Sequence, residues 1–274
     1  MPTPCALTLF QGRVGDHNDL ALPGAAAIGA ALAADLDLPL HVCATPEPAL
    51  NTHWQAELDA ARPALRALQA RFDAVFASPS YSIAATSRCA ASLATLPMLA
   101  RHHPDTCVIW FDSHADLNTP ATTTSDFLGG LALAAPLGLW DSGFGAGLSP
   151  GQIILVGQRD LDPAEQALIA RLHICHLPPS DNLASALHTA IARRATYVHL
   201  DCDVLDPGIV PTDYSCAGGL SLDDLAACAA VIGAQHCRGI EIAEFQNSWF
   251  VDGPPVSPRP LLAALQPLLV WPKL

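Results

Sequence analysis

Phe111-Asp112-Ser113-His114-Ala115-Asp116-Leu117-Asn118-Thr119-Pro120 is the stretch whose reading decides the fold. The apolar run Cys107-Val108-Ile109-Trp110-Phe111 leads into it and predicts a buried strand. Asp112, His114 and Asp116 follow at alternate positions, and in extended backbone alternate residues share one face. A buried strand that ends in carboxylate, imidazole and carboxylate is costly, because an unpaired charge out of water loses several kcal/mol or shifts its pKa. A divalent cation is the common way to offset that cost. Asn118-Thr119-Pro120 then predicts a turn.

A second acidic pair, Asp201-Cys202-Asp203, follows the run Tyr197-Val198-His199-Leu200, and Asp206-Pro207 turns the chain after it. A third run, Gly239–Ala243, ends in Glu244. Asp112, His114, Asp116, Asp201 and Asp203 give an oxygen-rich donor set that suits Mn²⁺ better than Zn²⁺, which favours thiolates, and carboxylates can bridge two ions. A single Asp-x-Asp reads more readily as an ordinary turn or loop cap. Two such clusters at strand ends of one chain point to a metal site.

Strand-like and helix-like segments alternate on both sides. Strands are expected near 6–11, 40–44, 74–77, 107–111, 153–157, 174–177, 197–200 and 239–243. Helices are expected near 25–36, 54–72, 92–101, 128–135, 181–194, 222–232 and 258–270, with another starting at Asp162. Pro63 is expected to kink the second helix or start a new one, and the Ser/Ala-rich stretch before Arg88 to read as loop. Strands separated by helices predict βαβ units, a mostly parallel sheet and one domain over residues 1–274. In such sheets ligands bind at the carboxyl ends of strands, where Asp112, Asp201 and Glu244 stand.

Composition narrows the function. The chain has 274 residues, is 51% hydrophobic and 14% charged, and carries a net charge of −13 with Lys273 its only lysine. That leaves no basic patch for nucleic acid, and no apolar run is long enough for a membrane span. Nine scattered cysteines without a CxxC pair, and an amino terminus without signal-peptide character, lead us to expect a reduced, cytoplasmic protein. The sequence fixes no oligomeric state.

These motifs together resemble the ureohydrolase family of arginases, agmatinases and relatives. Phe111–Pro120 matches its Asp-x-His-x-Asp-x-Asn-Thr-Pro segment and His199–Pro207 its Asp-x-Asp-x-x-Asp-Pro segment. Val156–Pro163 is similar to its Gly-x-Arg-Asp-x-Asp-Pro stretch, and Glu241–Glu244 to its last acidic strand. The resemblance implies a three-layer α/β/α sandwich with a mostly parallel sheet of about eight strands. It implies two Mn²⁺ ions on Asp112, His114, Asp116, Asp201 and Asp203, and a hydroxide that attacks a guanidinium carbon. Asp116 would pass a proton to the leaving nitrogen, and Glu244 would pair with the guanidinium. Asn118, Ser125 and Asp162 would hold the α-amino acid end of the substrate, with Glu165 near its amino group and Ser215 where arginases carry a Thr. The implied partner is a small guanidino amino acid.

The sequence departs from that family at three places. Thr86-Ser87-Arg88-Cys89 replaces Gly-Gly-Asp-His, so Cys89 stands at the sixth ligand position, where a soft sulfur would hold one ion weakly. Arg88 brings a positive charge where the family has an acid. Gly129 replaces a proton-shuttling His, so ordinary arginase chemistry should be slow. The departures resemble a subgroup, tied to antibiotic biosynthesis, that hydrolyses Nω-hydroxy-L-arginine to hydroxyurea and L-ornithine. The alternatives are hydrolysis of arginine or another guanidino acid, and a metal-depleted relative without activity. His17 is read as lying outside the site, and Arg159 as structural.

Overall fold

The computed structural model describes residues 4–270. Part of the amino-terminal stretch read as lacking a leader lies outside the described residues. Among the described residues there are eight strands: β1 (Cys5–Phe10), β2 (Leu40–Cys43), β3 (Tyr81–Thr86), β4 (Cys107–Phe111), β5 (Ile153–Val156), β6 (Cys175–Leu177), β7 (Thr196–Asp201) and β8 (Cys237–Ala243). They form one sheet in the order β2-β1-β3-β8-β7-β4-β5-β6, and every adjacent pair is parallel.

Helices cover both faces, as a parallel sheet requires. Helices α1 (Ala21–Leu36), α5 (Leu183–Ile191), α6 (Leu222–Gly233), α7 (Arg259–Ala264) and α8 (Gln266–Leu269) pack on one side. Helices α2 (Trp54–Phe76), α3 (Ser92–His102) and α4 (Pro163–Leu172) pack on the other. Alternate strand residues feed the two cores. Ile109 and Phe111 of β4 face the first, Val108 and Trp110 the second. This is the expected three-layer α/β/α sandwich. Among the described residues no helix is long and apolar enough to cross a membrane.

The structure departs from several local readings. Residues 74–77 are the last turn of α2, not a strand. Leu65, Leu68, Phe72, Val75 and Phe76 are all buried at helical spacing, so the apolar end of a long helix imitated a strand. The strand lies just beyond, in Tyr81–Thr86, within the stretch read as loop. Its small residues suit a central strand between close neighbours: a Cβ on Gly239 of β8 would lie 2.2 Å from the Ser82 carbonyl oxygen. Pro63 sits inside α2 without breaking it, because it lies on the exposed face, where water can satisfy the freed carbonyl. Finally, residues 128–135 form only a single tight turn, Gly129–Leu131, followed by further turns. The Leu133 and Ala134 N–H groups bond to the Asp116 carbonyl instead of to a helix of their own.

Five sheet neighbours, β3, β8, β7, β4 and β5, aim their carboxyl ends at one place. Cys89 follows β3, Glu244 follows β8, Asp201 ends β7, Asp112 follows β4, and the 157–165 segment follows β5. Chain order breaks between these neighbours, which is where a crevice opens in an open parallel sheet.

Candidate active site

A cavity opens at these strand ends. Its floor and walls include Cys89, His114, Asp116, Asn118, Ser125, Asp162, Glu165, Asp201, Asp203 and Glu244. Asp112 is fully buried behind them.

The metal-capable groups meet, but not as an extended strand would bring them together. β4 stops at Phe111. The Asp112 carboxylate accepts from the His114 N–H at 2.7 Å and folds the chain into a turn. At Asp116 the backbone takes φ +51°, left-handed for a residue with a Cβ. Asp201 and Asp203 repeat the device: Asp201 accepts the Asp203 N–H at 2.7 Å, opening a short turn after β7. Turns, not a shared strand face, aim these side chains.

Three groupings of donor atoms result: Asp112 with His114 and Asp203, Cys89 with Asp112 and Asp116, and Cys89 with Asp201 and Glu244. His114 Nδ1 lies 3.3 Å from Asp112 and 3.1 Å from Asp203. The two acids outweigh burial and raise the imidazole well above its ordinary pKa. Burial, then neighbouring acids, raise Asp112 to about 6 and push Asp116 and Asp201 up further. Asp203 is also desolvated, but His114 and the Ser113 N–H hold it low. Several buried acids around one imidazole is an arrangement that wants cations. Carboxylates with one imidazole fit divalent manganese, and the Cys89 thiol is the soft member of the set.

Cys89 is buried at the cavity floor. Its thiol donates to Asp201 at 3.0 Å and lies 3.2 Å from His199 Nε2. His199 Nδ1 in turn lies 2.8 Å from Glu241, which also accepts from Ser92, Thr95 and Tyr197. The imidazole stacks on Trp110 with centroids 3.6 Å apart. Burial, then the acids nearby, push the thiol pKa up.

The residues read as substrate contacts are divided. Asn118 donates to Asp162 at 2.8 Å, and both line the cavity. Glu165 is buried beside them: its carboxylate accepts the N–H groups of Leu117 and Asp162, each at 3.0 Å, and burial lifts its pKa to about 7. It therefore serves as a helix cap as well as facing the cavity. Ser125 lies exposed in the lining. Ser215 is exposed and outside the lining, to which its loop contributes Thr212 and Tyr214.

Arg88 points inward and is fully buried. Its Nε donates to Asp16 at 2.9 Å, and its Nη1 donates to Glu244 at 2.7 Å and to Asp213 at 3.2 Å. The other Glu244 oxygen accepts the Cys89 N–H at 2.9 Å. Asp16 and Asp213 were not singled out in the sequence, where each looks like an ordinary loop acid. Phe127 was also missed. A Cβ on Gly129 would lie 2.5 Å from its ring, so Phe127 fills the space a larger residue would need. His17 stacks on Phe127 at 4.4 Å and bonds Asp213 at 3.1 Å, just behind the lining. Arg159 donates to the carbonyls of Asp203, Val204 and Cys216, bracing the loop after β7.

Comparison with known proteins agrees with this geometry. Residues 90–249 match the arginase family. The chain is 38% identical over 238 residues to an N(omega)-hydroxy-L-arginine amidinohydrolase from Streptomyces lavendulae, covering 87% of each. It is 34% identical over 150 residues to the mitochondrial arginase-2 of Rattus norvegicus, covering 47% of this chain and 42% of that one. In fold it is similar to the arginase of Bacillus subtilis, with a TM-score of 0.83 at 18% identity over 99% of this chain and 100% of that one. The arginase of Bacillus caldovelox gives 0.78 at 23% identity, covering 100% of both chains.

Proposed function

From the premise that this chain belongs to the arginase family, we propose that it hydrolyses Nω-hydroxy-L-arginine to hydroxyurea and L-ornithine. It is a metal-dependent amidinohydrolase acting on a guanidino group. The observation that carries the reaction is the convergence of Cys89, Asp112, His114, Asp116, Asp201 and Asp203 at one cavity. The similarity to the Streptomyces enzyme over most of both chains supports the substrate.

On this reading those six residues would hold the cations. Bound there, two divalent ions would supply a hydroxide nucleophile at neutral pH. Asp116, which faces the cavity, would carry a proton toward the leaving nitrogen. Asn118 and Asp162, bonded to each other, would orient the α-amino acid end, with Ser125 at the mouth. Phe127 and Tyr214 would keep bulk water from the guanidino end. A hydroxyguanidine is less basic than a guanidine and easier to attack, so it needs less help from the proton shuttle that Gly129 lacks. Nine unpaired cysteines support a reducing, cytoplasmic setting.

Side-by-side assays of hydroxyarginine and arginine with Mn²⁺ test the substrate. Faster hydrolysis of hydroxyarginine is expected; a strong preference for arginine rejects the assignment. Less than one ion per chain after loading, with neither urea nor hydroxyurea formed, would mark a relative without activity.

A further inference from the structure

We propose that Arg88 sets the charge of the guanidino group this cavity accepts, favouring one that arrives uncharged over a cation. The proposal rests on the amidinohydrolase reading. A cationic group needs a carboxylate whose charge is free. Asp116, Asp201 and Asp203 belong to the cation groupings. Asp162, which accepts from Asn118, and Glu165, which accepts two backbone N–H groups, belong on that reading to the α-amino acid end of the substrate. Asp160 stands exposed at the rim, 3.8 Å from His114. Glu244 shares a grouping with Cys89 and Asp201, but it is the lining acid that also meets a buried cation: one oxygen accepts from the Arg88 guanidinium and the other from the Cys89 N–H.

Arg88 does not reach into the cavity. It lies behind Glu244 with no exposed surface, anchored by Asp16, Asp213 and the Asn18 carbonyl. A planar guanidinium pairs strongly and directionally with a carboxylate. The protein thus already holds a cation against Glu244, one that it shares with Asp16 and Asp213. A second guanidinium brought to Glu244 would feel Arg88 as a like charge at close range. A hydroxyguanidine, which loses its proton more readily, escapes that repulsion while still donating hydrogen bonds to the carboxylate.

Arg88 therefore acts as a positioning residue, through Glu244, and the test measures binding. Manganese-loaded protein is titrated calorimetrically with L-citrulline and L-arginine, which share an α-amino acid end and differ in charge at the other. The wild type is expected to bind citrulline at least as tightly as arginine. In Arg88→Met, arginine should gain about tenfold relative to citrulline, seen in turnover as a fall in KM for arginine rather than a rise in kcat. Arg88→Lys, which keeps the charge, should keep the wild-type order. Arginine binding tenfold tighter than citrulline in the wild type overturns the proposal, whether or not Arg88→Met folds. An unchanged ratio in a folded Arg88→Met overturns it as well. Failure to hydrolyse hydroxyarginine would instead count against the reaction, leaving this ranking measurable.

Discussion

His114 sits between two acids that raise its pKa, while burial raises Asp112, Asp116, Asp201 and Glu165. A group whose folded pKa is raised stabilises the fold below its unfolded value and gives that up as pH climbs through the folded value. Asp203, Asp213 and Glu241 are held low, so their contribution is complete once pH is above the ordinary carboxylate range. The metal-free protein should therefore resist urea better near pH ~5 than near pH ~8. Manganese should reverse that order, because the ion replaces the protons. Loading at neutral pH should release protons, seen as a heat that varies with the ionisation enthalpy of the buffer. A buffer-independent heat would mean that His114 is already deprotonated. Glu165→Gln isolates one part: its stability relative to wild type should rise as pH passes from about 4.5 through about 7.

At the scale of elements, the acidic clusters were legible because chemistry and spacing coincide: an apolar run that stops at a carboxylate marks a strand end in a parallel sheet. The turns that aim Asp112 and Asp201 were not legible, since an Asx turn and an extended strand can share a spacing of two. β3 was invisible because Ser82, Ala84 and Ala85 carry little hydrophobic signal, although their small size is what the crowded centre of the sheet demands. The role of Arg88 was hidden as well, since its partners come from loops 72 and 125 residues away. Close packing of this kind yields two predictions. A Cβ on Gly24 of α1 would lie 1.8 Å from the Phe245 carbonyl oxygen, so Gly24→Ala should cost about 1–3 kcal/mol in urea unfolding. Gly129→His should perturb the cavity while Phe127 stays, and Phe127→Ala should relieve that, measured as recovery of hydroxyarginine KM in the double variant.

Over the whole molecule, the sheet, both helical layers and the cavity form one cooperative unit on our reading. Tryptophan fluorescence and far-ultraviolet circular dichroism should report a single coincident unfolding transition; separated midpoints would indicate two domains. Arg88 spans that unit, joining the β1–α1 loop, the end of β3, the loop carrying Asp213 and the end of β8. Arg88→Met leaves Asp16 and Glu244 buried without their counter-ion and should cost about 3–5 kcal/mol by the same urea assay. The position of β8 also matters while the protein is being made. Among the described residues it is the last strand in chain order, yet it wedges between β3 and β7, which have no contact ladder without it. Until the ribosome has released residues 237–243, the nascent chain carries two half-sheets with open edges, a state prone to sticking. The donors Asp112, His114 and Asp203 all belong to the half that holds β4 and β7, whereas Cys89 belongs to the other. If two ions bind, the donors of one lie within a single half while those of the other are divided between both, which predicts that the two load in order.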